Sequence, residues 1–311
     1  MRIAVIGAGG VGGFFGGKLA AAGLDVVFLA RGQTLERLRH HGLIIDSAEG
    51  LQRIEPVRAT DDPASIGPVD AVLIAVKAWQ VHEAARSIKP LIGDRTAVVP
   101  LQNGVEAPDQ LIGELGPEPV LGGLCKIIAF TVEPGHIRHA GVVPQVILGE
   151  LNNQSSRRSE RLKKAFETAG VSAEIPQDIH AAMWEKFLFI CSVSGMGALT
   201  RAPIGPIRDN PQTRAMLEQA KQEIFRLARA RGVDLREGIV KDSMAFVDEL
   251  PWESTASMQR DIMEGLPSEL EAQSGAVLRL GREAGLDAPL HRAMYTGLLL
   301  SEKRARGEID Y

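Results

Sequence analysis

The chain opens Met1-Arg2-Ile3-Ala4-Val5-Ile6-Gly7-Ala8-Gly9-Gly10-Val11-Gly12, and the fold is decided in this stretch. Residues 2–6 form a short apolar run ending at glycine, as expected of a strand buried on both faces. From 10 to 22, Val11, Phe14, Phe15, Leu19 and Ala22 recur near helical spacing. The Gly-x-Gly-x-x-Gly pattern therefore falls on the first strand-to-helix turn. Gly7 permits the tight turn, Gly9 lets a pyrophosphate approach the backbone, and Gly12 allows close packing of helix on strand. The helix N-terminus then offers free N–H groups and a partial positive charge to phosphates. A glycine-rich turn alone is a weak signal; the strand before it and the helix after it supply the required context. Gly7, Ala8, Gly9, Gly10, Val11 and Gly12 are expected to cradle a dinucleotide.

Outward from this turn, strands alternate with helices: strands at 25–29, 69–76 and 96–100, helices at 33–41, 80–89 and 105–115. Such alternation builds a parallel, doubly wound α/β sheet of Rossmann type with right-handed crossovers. From 120 to 149 the pattern changes to two or three β-rich stretches separated by Glu133-Pro134-Gly135 and His139-Ala140-Gly141. These are expected to be antiparallel strands finishing the sheet, followed by a helix at 155–169 and a last strand at 171–175. Helical periodicity dominates after Pro176, at 179–194, 213–232, 240–250, 268–285 and 289–306. The expected organisation is a dinucleotide-binding domain at 1–176 and an all-helical domain at 177–311.

The composition narrows the function. At 311 residues, with 45% hydrophobic and 24% charged side chains, the chain suits a soluble two-domain protein. A net charge of −4 offers no basic surface for nucleic acid. Two cysteines, Cys125 and Cys191, each in an apolar run, fit neither a disulfide framework nor a zinc cluster and suggest a reducing compartment. The seven histidines show no metal-ligand spacing. No signal-peptide core or run of about 18 apolar residues is present, so a cytoplasmic location without membrane contact is expected.

The second strand ends Leu29-Ala30-Arg31-Gly32. An NAD site normally carries Asp or Glu there for the ribose 2′-hydroxyl; Arg31 instead suits a 2′-phosphate and points to NADP(H). Lys77 and Asn103 each follow the C-terminal end of an expected parallel strand, the edge at which open α/β sheets bind ligands. Lys186 is a lone charge entering the apolar stretch Phe187-Leu188-Phe189-Ile190. Pro267-Ser268-Glu269-Leu270-Glu271 resembles a helix start, with Ser268 as cap and Glu271 closing a capping box.

Taken together, the spaced motifs resemble the ketopantoate reductase (2-dehydropantoate 2-reductase) family over essentially the whole chain. They are the opening glycine pattern, Arg31, Val76-Lys77-Ala78-Trp79-Gln80, Leu101-Gln102-Asn103-Gly104, Trp184-Glu185-Lys186, Ser257-Met258-Gln259-Arg260-Asp261 and Ser268-Glu269-Leu270-Glu271. The resemblance implies NADPH-dependent reduction of a 2-oxo acid to a 2-hydroxy acid in pantothenate synthesis. By resemblance, Lys186 is the general acid and Glu269 binds substrate or orients the lysine. Ser257 holds the substrate carboxylate, while Lys77 and Asn103 serve the nicotinamide end and the substrate. Chemistry supports the lysine: hydride addition leaves negative charge on the carbonyl oxygen, which a positioned ammonium stabilises and then protonates.

At three positions where the family carries asparagine, this chain has Ile190, Ser194 and Ser274. Ser194 still offers a hydroxyl to substrate, but lost amides imply a pocket that reads a substrate hydroxyl less strongly. Three readings stay open: ketopantoate reduction, reduction of a different carbonyl compound, and a non-catalytic NADP(H)-binding regulator. A homodimer is compatible with the helical half.

Overall fold

The computed structural model describes residues 1–310. It divides into two compact units, one of Met1–Gln102 and Ala107–Ile179, the other of Asn103–Glu106 and the chain from His180 onward.

In the first unit, β1 (Arg2–Ile6), β2 (Asp25–Leu29), β5 (Arg58–Thr60), β6 (Ala71–Ile74) and β7 (Ala97–Pro100) form a sheet of order β5-β2-β1-β6-β7. Every neighbouring pair is parallel. Crossovers run through α1 (Gly10–Ala21), α2 (Gly32–His41) and α3 (Val81–Ser87), with α4 (Ala107–Leu115) after β7. The expected doubly wound sheet is thus present. Its direction of winding reverses between β1 and β6, so the C-terminal ends of those strands form the switch point.

A second sheet was not foreseen. β3 (Leu43–Ser47) and β4 (Gly50–Ile54) make a hairpin after α2, and β3 pairs parallel with β9 (His136–Glu150). β10 (Ser172–Glu174), preceded by α5 (Arg157–Thr168), lies parallel on β9, while β8 (Leu121–Glu133) pairs antiparallel with it. The stretch expected to finish the parallel sheet therefore builds its own sheet. It also reverses only once, at Pro134-Gly135. His139-Ala140-Gly141 lies inside β9: Lys126 faces Gln145 and Ile128 faces Ala140, so the residues following Ala140 bulge. Gly141, at φ +73°, serves that irregularity instead of a reversal.

The second unit is helical throughout: α6 (Ile179–Thr200), α7 (Ile204–Asp209), α8 (Pro211–Ala230), α9 (Ile239–Glu249), α10 (Ser257–Met263), α11 (Ala276–Glu283) and α12 (Pro289–Ala305). The expected helix at 268–285 is α11 preceded by a π-helical turn, Glu271–Gly275. The expected capping box does not form. The Glu302 carboxylate of α12 accepts from the Ser268 N–H at 3.1 Å and from its hydroxyl at 2.5 Å. Glu271 turns instead to Arg279 and to the Tyr295 hydroxyl. A core of Val193, Met196, Leu217, Ala220, Met244 and Met294 joins α6, α8, α9 and α12. Among the described residues no helix is long and apolar enough to cross a membrane.

Candidate active site

The first unit supplies a phosphate-type cradle. Gly7 has φ +93°, and a Cβ there would come within 3.0 Å of the Ala75 carbonyl oxygen and of Val76. The glycine turn after β1 therefore abuts the segment after β6, at the switch point. At Gly12 a Cβ would lie 1.9 Å from the Gly7 oxygen, so only glycine lets α1 seat this close to the strand end. Gly9 behaves differently. Its backbone is extended (φ −77°, ψ −164°), and a Cβ there would meet no protein atom within 4 Å. Neither packing nor dihedrals call for glycine at Gly9, whereas a diphosphate lying against the backbone does. The first turn of α1 carries no acidic residue, and its N-cap makes no side-chain bond to the free N–H groups. Those donors and the dipole fit an anion.

Arg31 stands exposed at the N-cap of α2. It is already engaged, however: its Nη1 lies 2.9 Å from the Glu83 carboxylate of α3. Lys77 caps the short 3-10 turn Ala78–Gln80 after β6, its N–H donating to the Gln80 side chain at 3.3 Å. The Lys77 ammonium sits 5.8 Å from the Trp79 ring centre. The glycine turn, Arg31 and Lys77 all belong to this unit.

The second unit gathers the remaining polar residues. Asn103 leaves β7 yet groups with the helical unit, where its Nδ2 donates to Glu269 Oε2 at 3.2 Å. Gly104, at φ +107°, comes up against the Ala272 carbonyl oxygen, to which a Cβ would be 3.1 Å. Glu106 pairs with Arg279 at 2.7 Å, and Arg279 also pairs with Glu271. Partial burial raises the Tyr295 hydroxyl to about 12, reinforced by its bond to Glu271. The Asn103–Glu106 strap is therefore held along the segment from Glu269, before the π turn, to Arg279 of α11. Glu269 itself is buried, 7% exposed.

Lys186 is half-buried on α6, among the buried Met183, Trp184, Phe187 and Leu188. Ile190 is half-buried one turn on, and Ser194 is fully buried with a hydroxyl that meets no hydrogen-bond partner among the described residues. Cys191, whose thiol burial pushes far up, faces Ser274 of the π turn. Ser257 is the first residue of α10, half-buried. Among the described residues no cluster of three or more His, Cys, Asp or Glu side chains is placed to hold a metal ion. Sequence reading missed Glu83, Glu106, Arg279 and Glu302. Each acts through a partner remote in sequence, and no local spacing announces it.

Comparison with known proteins gives this geometry a family. Residues 3–153 match the model of the ketopantoate reductase PanE/ApbA family, and residues 178–301 match that of its C-terminal domain. An uncharacterized oxidoreductase YkpB of Bacillus subtilis (strain 168) is 32% identical over 304 residues, covering 97% of this chain and 99% of that protein. The crystal structure of 2-dehydropantoate 2-reductase from Geobacter metallireducens GS-15 superposes with a TM-score of 0.90. It is 31% identical and covers 97% of this chain and 100% of that one. The fold is shared further, at 20% identity and a TM-score of 0.89, with D-mandelate dehydrogenase in a ternary structure with NADH and anilino(oxo)acetate, covering 98% and 100% of the two chains. With family models spanning both of its units, the chain is an oxidoreductase that belongs to the ketopantoate reductase PanE/ApbA family.

Proposed function

We propose that the chain reduces a 2-oxo acid to the 2-hydroxy acid with NADPH, and that 2-dehydropantoate is the substrate. The observation that carries this reading is the buried Glu269 carboxylate, bonded to Asn103 in the unit that also presents Lys186. A carboxylate and an ammonium donor on one helical unit are the equipment a carbonyl reduction needs from its protein.

Gly7, Ala8, Gly9, Gly10, Val11 and Gly12 would hold the dinucleotide phosphates, Arg31 the 2′-phosphate, and Lys77 and Asn103 the nicotinamide end. When bound, the cofactor supplies the hydride. Lys186 stabilises the negative charge gained by the carbonyl oxygen, transfers its proton from Nζ to that oxygen, and is reprotonated from solvent. Glu269 orients the lysine and binds substrate, and Asn103 holds the Glu269 carboxylate in place. Ser257 takes the substrate carboxylate and Ser194 offers a further hydroxyl. The buried thiols of Cys125 and Cys191 suit a reducing cytoplasm. A second reading, a different carbonyl substrate, is favoured by one feature: half-buried Ile190 gives α6 an apolar group one turn from Lys186.

The test follows NADPH absorbance with ketopantoate and a panel of other 2-oxo acids. Oxidation with ketopantoate supports the proposal; turnover confined to another acid supports the second reading. Lys186→Ala is expected to lower kcat by about 10²–10⁴-fold while NADPH still binds. Equal loss of NADPH binding and turnover would remove Lys186 from the general-acid role.

A further inference from the structure

We infer that Gln273 is a specificity-determining residue that reads a neutral hydroxyl on the substrate chain; this rests on the 2-oxo acid reading above. Gln273 is 0% exposed, and neither its Nε2 nor its Oε1 meets a hydrogen-bond partner among the described residues. A buried primary amide carries two donors and an acceptor with two lone pairs. Leaving such a group buried without a partner is costly, because its hydrogen bonds to water are lost and not replaced. Folding alone does not justify a glutamine where leucine or methionine would pack.

Its position says what the amide is for. The Gln273 N–H donates to the Glu269 carbonyl at 3.0 Å, so the two residues are one turn apart. The turn is π-helical, with Gly275 N–H bonded to the Leu270 carbonyl, five residues back. At either α or π pitch a residue four positions on stays within about 40° of the same face. Gln273 therefore shares the face of Glu269, the carboxylate that meets Asn103. The next residue back, Ala272, presents its carbonyl to Gly104 of the same strap. The π turn that opens α11 is of a kind frequent at functional sites.

The chemistry selects the ligand group. Buried around the turn are the apolar Leu270, Ala276, Val277 and Met294, with the Ser274 hydroxyl and the Glu269 carboxylate beside them. A charged substituent would be desolvated there, and the cation at the turn, Arg279, is already paired with Glu106 and Glu271. An alcohol is both donor and acceptor, and a carboxamide answers both roles. The pocket is thus selective for a hydroxylated 2-oxo acid over its deoxy counterpart.

The test compares ketopantoate with 3,3-dimethyl-2-oxobutanoate, which differs by loss of the hydroxyl, in wild type, Gln273→Leu and Gln273→Met. Expected are a wild-type preference for ketopantoate in kcat/KM and a fall of about 10- to 100-fold in that preference in the variants, with the deoxy acid unaffected. NADPH affinity, measured by fluorescence titration, stays at the wild-type value. Equal loss on both acids in both variants, or no change in the ratio, overturns the role of Gln273 while leaving 2-oxo acid reduction standing. So does a wild type that prefers the deoxy acid. A wild type that binds NADPH but reduces neither these acids nor any other 2-oxo acid overturns the underlying function as well.

Discussion

Arg31 and Glu83 pair at 2.9 Å with both side chains about two-thirds exposed. An exposed ion pair contributes little to stability, about 0–1 kcal/mol, so the pair matters more for what it competes with. A 2′-phosphate approaching Arg31 must displace or tolerate the Glu83 carboxylate. Like charges about 4 Å apart in water repel by about 1 kcal/mol per pair of unit charges. Glu83→Gln is therefore expected to tighten 2′-phospho-ADP-ribose by about 2- to 10-fold while leaving ADP-ribose unchanged. Isothermal titration with the two nucleotides checks this, and equal effects on both would show that Glu83 plays no part in reading the phosphate. Arg31→Ala should act in the opposite sense and on the phosphorylated nucleotide alone.

Among the elements, α8 carries the least expected side chain. Lys221 is 0% exposed; its amine donates to Ser243 of α9 at 2.8 Å and lies 5.1 Å from the Phe189 ring of α6. Burial with no carboxylate partner lowers it from 10.5 to about 7. In the unfolded chain the amine holds its proton to its ordinary value. Between about 7 and 10.5 the unfolded state thus binds more protons, and stability rises with pH across that window. As pH falls to 7 this contribution is lost, and below 7 it no longer varies. Lys221→Met removes the group, so urea unfolding at pH 7, 8 and 9 should show wild type gaining on the variant by up to ~1.4 kcal/mol per pH unit. A constant gap would mean the amine stays charged in the fold. Lys221 escaped sequence reading because it sits in a helix otherwise rich in Arg, Gln and Glu. The glycine turn was legible because strand, turn and helix constrain it locally. The β3–β4 hairpin was not: residues 43–54 bury Leu43, Ile45 and Ile54 but leave Leu51 exposed, so their alternation is broken. The π turn was hidden for a different reason. Its start is set by Glu302, 34 residues away, which takes the N–H that a capping box would have used.

For the whole molecule, the proposed roles fall mostly one to each unit, Asn103 of the second unit being the residue proposed to serve the nicotinamide end as well. The glycine turn, Arg31 and Lys77 belong to the first; Asn103, Lys186, Ser257, Glu269 and Gln273 belong to the second. Cofactor recognition and substrate recognition should then leave distinct footprints, because local opening is governed by the contacts within each cooperative region. Hydrogen exchange on the full chain tests this directly. NADPH alone is expected to slow exchange at 9–13, where the first N–H groups of α1 gain an anionic partner, at 75–77 and at 103. Oxamate, a non-reducible mimic of a 2-oxo acid, is expected to add protection at 104–106 and 268–275 when NADPH is present. Protection of 268–275 by NADPH alone would mean that the helical unit reads the cofactor first, and that Glu269 and Gln273 serve it and not the substrate. Protection by oxamate confined to the first unit would move substrate recognition off the helices and leave the strap and the π turn as structural bracing.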